Sequence, residues 1–372
     1  MERIKTAFST KKPISEAVEE IKETIGSMSI KMLVFFASPI YDPEVLSTAM
    51  HDAFPGAVVF GCTTSGEIIT GKMLKESVVA MALSPEAVSD AALGVITGIK
   101  EDILAENISR VFTDFETHCG EKMQNLDFTK YVGIILIDGL SASEEKVMDR
   151  IGDLTNVLFV GGSAGDDLKF ACTYVYANGK AYTNAAVIVL LKPAVGFDII
   201  KTQSFSATDK RLIATEVEEA SREVVCFNNK PAADAYAEAV GTTVDDAPNH
   251  FMSNPVGLLT EDDIYVRSPQ QIRDGKMVFY CNVLKDMELA LLNATDIIAD
   301  TKKAIMEKKG SGNAIAGIIN FHCILRTLEL ENDKLTDEYG ELFSDMPTIG
   351  FSTYGEEFLG HINQTSTMLL FK

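Results

Sequence analysis

The sequence predicts a mixed α/β protein of two domains, with mixed parallel and antiparallel sheets built from repeated β-α-β units. Three observations carry this expectation. The chain has 372 residues with 46% apolar content, enough for roughly two cores of ordinary domain size. Apolar runs of strand length alternate with amphipathic stretches, and the order strand, helix, strand recurs three times. Each recurrence closes on a segment rich in glycine and hydroxyls: Gly61-Cys62-Thr63-Thr64-Ser65-Gly66-Glu67 in the first, Gly350-Phe351-Ser352-Thr353-Tyr354-Gly355-Glu356 in the last, and a weaker version, Gly162-Ser163-Ala164-Gly165-Asp166, between them.

The chain opens on an amphipathic helix over 15–25, where Ala17, Val18, Ile21 and Ile25 recur at helical spacing. In the first unit 32–37 reads as a buried strand, Asp42 as a cap and Pro43 as the first residue of a helix. Pro55-Gly56 ends that helix, and 57–60 is the strand that delivers the motif. The second unit is read over 131–137 (strand), 143–154 (helix) and 157–160 (strand). The third is read over 314–319, the segment 323–343, and 347–349. Further strands follow each motif, at 77–83, 173–191 with an Asn178-Gly179 hairpin turn, and 366–371. Right-handed crossovers make the two strands of each unit parallel, and the added strands make the sheets mixed.

Pro193, Gly196 and a Ser/Thr-rich piece over 202–208 break this pattern, so the domain boundary is expected after residue 205. The second half, 206–372, adds a strand over 223–227, a turn at Asn228-Asn229, a helix over 231–240, a strand over 277–283 and a helix over 294–308 ended by Gly310-Ser311-Gly312.

The glycines allow tight turns and a close approach to the main chain, and the hydroxyls and acids point at whatever approaches. That is the chemistry of a small-molecule cradle. The plainer reading is a turn whose hydroxyls satisfy its own amides. If the units are crossovers, each motif faces the carboxyl end of its partner strand, where Ser38, Asp138 and Asn320-Phe321-His322-Cys323 stand. Ligands of open α/β sheets bind in such crevices.

Composition narrows the partners. With 33 basic and 54 acidic residues the formal charge is −21, and no Lys/Arg stripe is present, so neither nucleic acid nor an anionic membrane is expected as partner. No apolar run reaches the length of a spanning helix or a signal peptide, and a cytoplasmic location without membrane insertion is expected. Six scattered cysteines are read as free thiols of a reduced compartment, and the five dispersed histidines give no metal-ligand spacing. No phosphate-binding or serine-hydrolase motif is found.

The first motif, the segment 227–236 (FNNKPAADAY), the segment 320–326 (NFHCILR) and the closing motif with 361–367 (HINQTST) together resemble the FIST family, whose N-terminal and C-terminal domains would span nearly the whole chain. The resemblance implies a sensory module of signal transduction that binds small ligands such as amino acids. It also implies output through a kinase or chemotaxis component, here expected as a separate protein. No cofactor is expected. The alternatives are a haem-based nitric-oxide sensor, with His322 or His361 as axial ligand, and an enzyme using a thiol or paired acids.

The candidate ligand-binding residues are Cys62, Thr63, Thr64, Gly66 and Glu67 of the first motif, Ser163 of the second, and Ser352, Thr353, Gly355 and Glu356 of the last. Asp138, Asn320 and Cys323 join them from the partner strands. Arg326 is the strongest single candidate, because a guanidinium clamps a carboxylate in two parallel bonds; its plainer reading is a salt bridge with Glu329. Arg267 is a second such candidate. Glu67 and Glu356 suit an ammonium group, against the plainer reading of solvated turn acids. Cys62 and Cys323 have the makings of nucleophiles but read more simply as buried thiols.

Overall fold

The computed structural model describes residues 3–101, 103–261, 263–310 and 314–372. Ser311 and Gly312, expected to end a helix, lie outside them. The chain forms two compact units: one of residues 1–201, 304–360 and 366–372, the other of 202–303 and 361–365.

The larger unit contains three sheets of the same plan. In each, a β-α-β unit supplies a parallel pair: Met32–Ala37 with Val58–Thr63, Val132–Ile137 with Phe159–Ser163, and Gly317–Cys323 with Thr348–Thr353. The crossovers are the helices Pro43–Ala53 and Glu144–Gly152 and, in the third repeat, the pair Ile324–Asp333 and Thr336–Glu341. An antiparallel strand lies beside the first strand of each pair: Val78–Leu83, Ala185–Pro193 and Thr365–Phe371. Outside it runs a further strand, Ile4–Ser9, Val88–Thr97 or Phe197–Gln203.

The repeats are equivalent residue by residue. Phe35 stands opposite Gly61, Ile135 opposite Gly161 and Asn320 opposite Gly350. A Cβ on those glycines would come within 1.8, 1.7 and 2.2 Å of the carbonyl oxygen of Phe35, Ile135 and Asn320. No side chain fits so close an approach, and glycine is required at all three places.

After its motif each repeat sends a three-residue arm into the sheet of another. Glu67–Ile69 pairs with Thr348–Thr353, Glu356–Phe358 with Phe159–Ser163, and Val175–Ala177 with Val58–Thr63. First reaches third, third reaches second and second reaches first, closing a ring.

Alternation along the strands divides the apolar residues between two faces. One face of every sheet packs into a shared core that includes Phe36, Cys62, Leu136, Val160, Phe321 and Phe351. Phe36 and Phe351 lie 4.5 Å apart between ring centroids. The other face of the first sheet, with Leu33 and Phe35, packs under Ala17, Ile21, Leu46 and Met50 of its helices. That of the second, with Ile135 and Ile137, packs under Ile108, Phe112, Val147 and Ile151.

The smaller unit is built differently. Its strand pairs are antiparallel and centre on Phe205–Glu218, which pairs with Glu288–Ala294 on one side and Glu223–Phe227 on the other. The helix Ala232–Val240 packs Ala232, Ala235 and Tyr236 onto Phe227, Phe279 and Leu289.

The compact units do not follow chain order: the third β-α-β unit, in the last part of the sequence, completes the threefold set of the larger unit. The stretch 202–208, read as a break, joins two strands, Phe197–Gln203 and the long Phe205–Glu218. A register shift between Ala207 and Arg211 interrupts the alternation that would have announced the longer one.

Candidate functional site

The three motif copies meet. Thr63, Ser163 and Ser352 hold equivalent positions, and the carbonyl of each accepts the N–H of the residue two beyond the equivalent place in the neighbouring copy: Gly165 at 3.0 Å, Tyr354 at 3.1 Å and Ser65 at 3.2 Å. Ser163 and Ser352 in turn donate their N–H to Gly355 and Gly66, at 2.9 and 2.8 Å. The motifs are thus the knots that tie the arms of the ring.

Much of their polar chemistry is spent inside the knots. Glu67, 1% exposed, accepts from the Thr64 hydroxyl and from the N–H (3.1 Å) and hydroxyl (2.6 Å) of Ser77. Burial still pushes its carboxyl up to about 7. Glu356 repeats the device, accepting from Thr353 at 2.5 Å. Both acids are buried, so the reading as solvated turn residues is corrected; closing the turn removes them from water. Asp138 is likewise engaged, by the N–H groups of Leu140 (3.1 Å) and Asn184 (2.5 Å) and by the Thr173 hydroxyl.

Cys62 is wholly buried, and burial pushes its thiol well above the ordinary value. A thiol so placed is a poor nucleophile. Cys323 is 1% exposed. Gly66 (φ 130°) sits where a Cβ would come 3.2 Å from Ser352 Oγ, so its role is the close approach of two copies. Gly355 accepts the Ser163 N–H. Arg267 belongs to the smaller unit, at the end of the strand Ile264–Arg267, and donates to the Val266 carbonyl at 3.2 Å.

The third repeat departs from the other two on its helix-covered face. Where the first has Phe35 and Ala37 and the second Ile135 and Ile137, the third has Asn320 and His322, both fully buried. The crossover helices cover them with Arg326, Thr327 and Tyr339, each 1% exposed or less. Among the described residues Arg326 is the one buried Lys or Arg.

Two of their hydrogen bonds have a fixed direction. Ser366 Oγ donates to Asn320 Oδ1 at 2.7 Å, and Asn320 Nδ2 donates to the Tyr339 hydroxyl at 3.2 Å. The Tyr339 hydroxyl has two further neighbours, His322 Nδ1 at 3.0 Å and Ser366 Oγ at 3.4 Å, and the nearer is the better placed acceptor for its proton. With Nδ1 accepting, a neutral His322 carries its proton on Nε2. Burial, with Arg326 nearby, holds the imidazole neutral far below its ordinary range. Among the described residues His322 Nε2 is buried without a hydrogen-bond partner. An orphan donor of this kind is uncommon in a folded protein and calls for an explanation. Ser352 borders the cluster and shares a 2.8 Å hydrogen bond with Thr327.

Of the residues expected at a site, the structure therefore brings together Asn320, Arg326 and Ser352 in one polar layer. It adds Thr327, Tyr339 and Ser366, which sequence reasoning did not single out, and His322, which was named only in the strand-end segment and as a haem ligand. The available clue was Asn320 and His322 at two-residue spacing inside an otherwise apolar run. A haem is a poor fit at His322, because the ring has no exposed surface and packs 4.6 Å from that of Tyr339. A porphyrin reaching Nε2 would have to part the sheet from its helices. His361, the other histidine considered, is buried in the smaller unit.

Comparison with known proteins supplies the wider context. The FIST N domain matches residues 31–230 and the FIST C domain residues 232–358. The chain belongs to the FIST family. FIST domains are sensory modules of signalling. An uncharacterized protein of Methanocaldococcus jannaschii is 24% identical to this FIST chain over 322 residues, which cover 80% of the chain and 61% of the relative. The FIST chain thus spans less than two thirds of that relative's length. Among its described residues no helix is long and apolar enough to cross a membrane.

Proposed function

We propose that this FIST protein senses a small carboxylate-bearing molecule, an amino acid or related organic acid, on the polar face of its third repeat. The observation that carries the reading is the buried His322 Nε2, which bears the N–H in the tautomer that accepts from Tyr339, beside the buried Arg326, on a face that the other two repeats fill with apolar side chains. An unsatisfied buried donor costs about 1–3 kcal/mol, and a ligand carboxylate accepting from it returns that energy as binding. Arg326 supplies positive charge where water is excluded, and Ser352, Thr327 and Asn320 offer groups that discriminate among polar ligands. Binding without catalysis is favoured by the internal engagement of Glu67 and Glu356 and by the raised thiol of Cys62. The bound state is passed to a signalling output such as a kinase or chemotaxis component.

A thermal-shift screen tests this. Amino acids and organic acids should include one class that raises Tm saturably by mass-action linkage, while the matching alcohols and amines leave it unchanged. No stabilisation by any carboxylate would reject the reading.

A further inference from the structure

A cavity of ≈ 210 Å³ opens at the carboxyl edge of the first repeat's parallel pair, within the larger unit. Its walls include Pro39, Tyr41, Pro43 and Tyr174, with Lys169 and Cys172 contributed by the loop that follows the second motif. The polar groups at its base are already engaged. Asp166 accepts from the N–H groups of Phe170 (2.9 Å), Ala171 (2.6 Å) and Cys172 (3.0 Å) and from the Tyr354 hydroxyl. The Thr63 hydroxyl accepts the Tyr174 N–H at 2.9 Å. What remains for a ligand is an apolar and aromatic wall and the Lys169 ammonium, which forms no salt bridge among the described residues and whose field reaches Asp167 and Glu76.

The same loop is strained. Asp167, Leu168 and Phe170 have φ of 56°, 61° and 49°, a region that bulky side chains seldom enter. It is held there by the third repeat's motif: the Tyr354 hydroxyl accepts from Asp166 N–H (3.2 Å) and Leu168 N–H (2.9 Å), and its ring stacks on Phe170 at 5.2 Å. Strain that the surroundings maintain in this way gathers at ligand clamps and switch segments.

We propose that this cavity is a second ligand site, for a small ring-bearing carboxylate whose ring lies against Tyr41, Tyr174 and the two prolines and whose carboxylate meets Lys169. A cavity of about 150 Å³ suffices for a benzene ring, so a substituted six-membered ring suits the space. The site is separate from the His322 layer and does not depend on it.

Cys172 provides the readout, since it is the exposed thiol of the chain and lines the cavity. Its alkylation rate is followed by peptide mass spectrometry in the full-length protein, with benzoate and phenylacetate as probes, benzyl alcohol and benzylamine as controls, and Cys226 as internal reference. The expected result is slowing at Cys172 alone, by about tenfold at a tenfold excess over Kd, weakened in Lys169→Gln and retained in His322→Phe. Retention in His322→Phe separates this site from the proposed sensory one. Three results would overturn the proposal: no slowing by either carboxylate, equal slowing by benzyl alcohol, or undiminished slowing in Lys169→Gln.

Discussion

Asn320 occupies in the third repeat the place that Phe35 occupies in the first, each opposite the leading glycine of its motif across a parallel strand pair. One backbone position thus carries apolar packing in one copy and a polar network in another. Because the threefold plan would tolerate apolar side chains at all three places, the polar set in the third copy is a departure that folding did not require.

Replacing His322 with Phe separates stability from binding. The change removes a buried N–H that has no partner among the described residues, but also the Nδ1 that accepts from the Tyr339 hydroxyl, so the two effects oppose and unfolding free energy should change by no more than about 1–3 kcal/mol, while carboxylate-induced stabilisation disappears. Folding depresses the His322 pKa, so below the unfolded value of 6.5 the unfolded state binds a proton that the native state refuses. Wild-type stability therefore falls as pH drops through that value, and the stability of His322→Phe relative to the wild type should rise there. Urea titrations of both proteins at several pH values measure this.

Glu67 acts with the opposite sign. Its folded pKa of about 7 lies above the ordinary 4.5, so between these values the native state binds more protons than the unfolded one. Its contribution falls as pH rises across that window, by on the order of 3 kcal/mol, and is level above it. Glu67→Gln keeps an acceptor for Ser77, reverses the Thr64 contact so that the amide donates to its hydroxyl, carries no charge, and should remove this slope. Denaturation curves of the two proteins from pH 4.5 to 8 provide the comparison.

The three glycines that face Phe35, Ile135 and Asn320 should be equally intolerant. Gly61→Ala, Gly161→Ala and Gly350→Ala each drive a methyl into a backbone carbonyl, and each should cost about 4 kcal/mol or more. Gly152→Ala, at a helix end where nothing lies within 4 Å, should be neutral or stabilising by about 1 kcal/mol. Urea midpoints, or soluble yield where a variant fails to fold, give the readout.

Thiol labelling follows burial. Cys172 should react first, Cys119 and Cys226 more slowly, and Cys62, Cys281 and Cys323 only on unfolding. Timed alkylation with mass spectrometry of the peptides establishes the order, and fast labelling of Cys62 would reopen a nucleophilic role.

The β-α-β units were legible because their signals are local. Asp42 does cap its helix, accepting from Val45 N–H at 3.0 Å, and Pro43 follows as its first residue. Ser143, at the start of the second unit's helix, does not act the same way: its hydroxyl donates to the Ser141 carbonyl, at 3.2 Å, because that carbonyl lies within reach in the preceding turn. The arm exchange was not legible. Glu67–Ile69 is only three residues long, and nothing within it names Thr348–Thr353 as its partner. The polar layer was half legible: Asn320 and Arg326 stood out by type, whereas Tyr339 sits on a helix and gains its meaning from His322, which only the tertiary fold brings against it.

Native mass spectrometry of the protein purified gently from its source tests the central claim most directly. A co-purified small carboxylate, present on the wild type and missing from His322→Phe, is the predicted result. An adduct of any other chemistry, or one equally abundant on both proteins, would contradict the assignment of the third repeat's polar face as the sensory site.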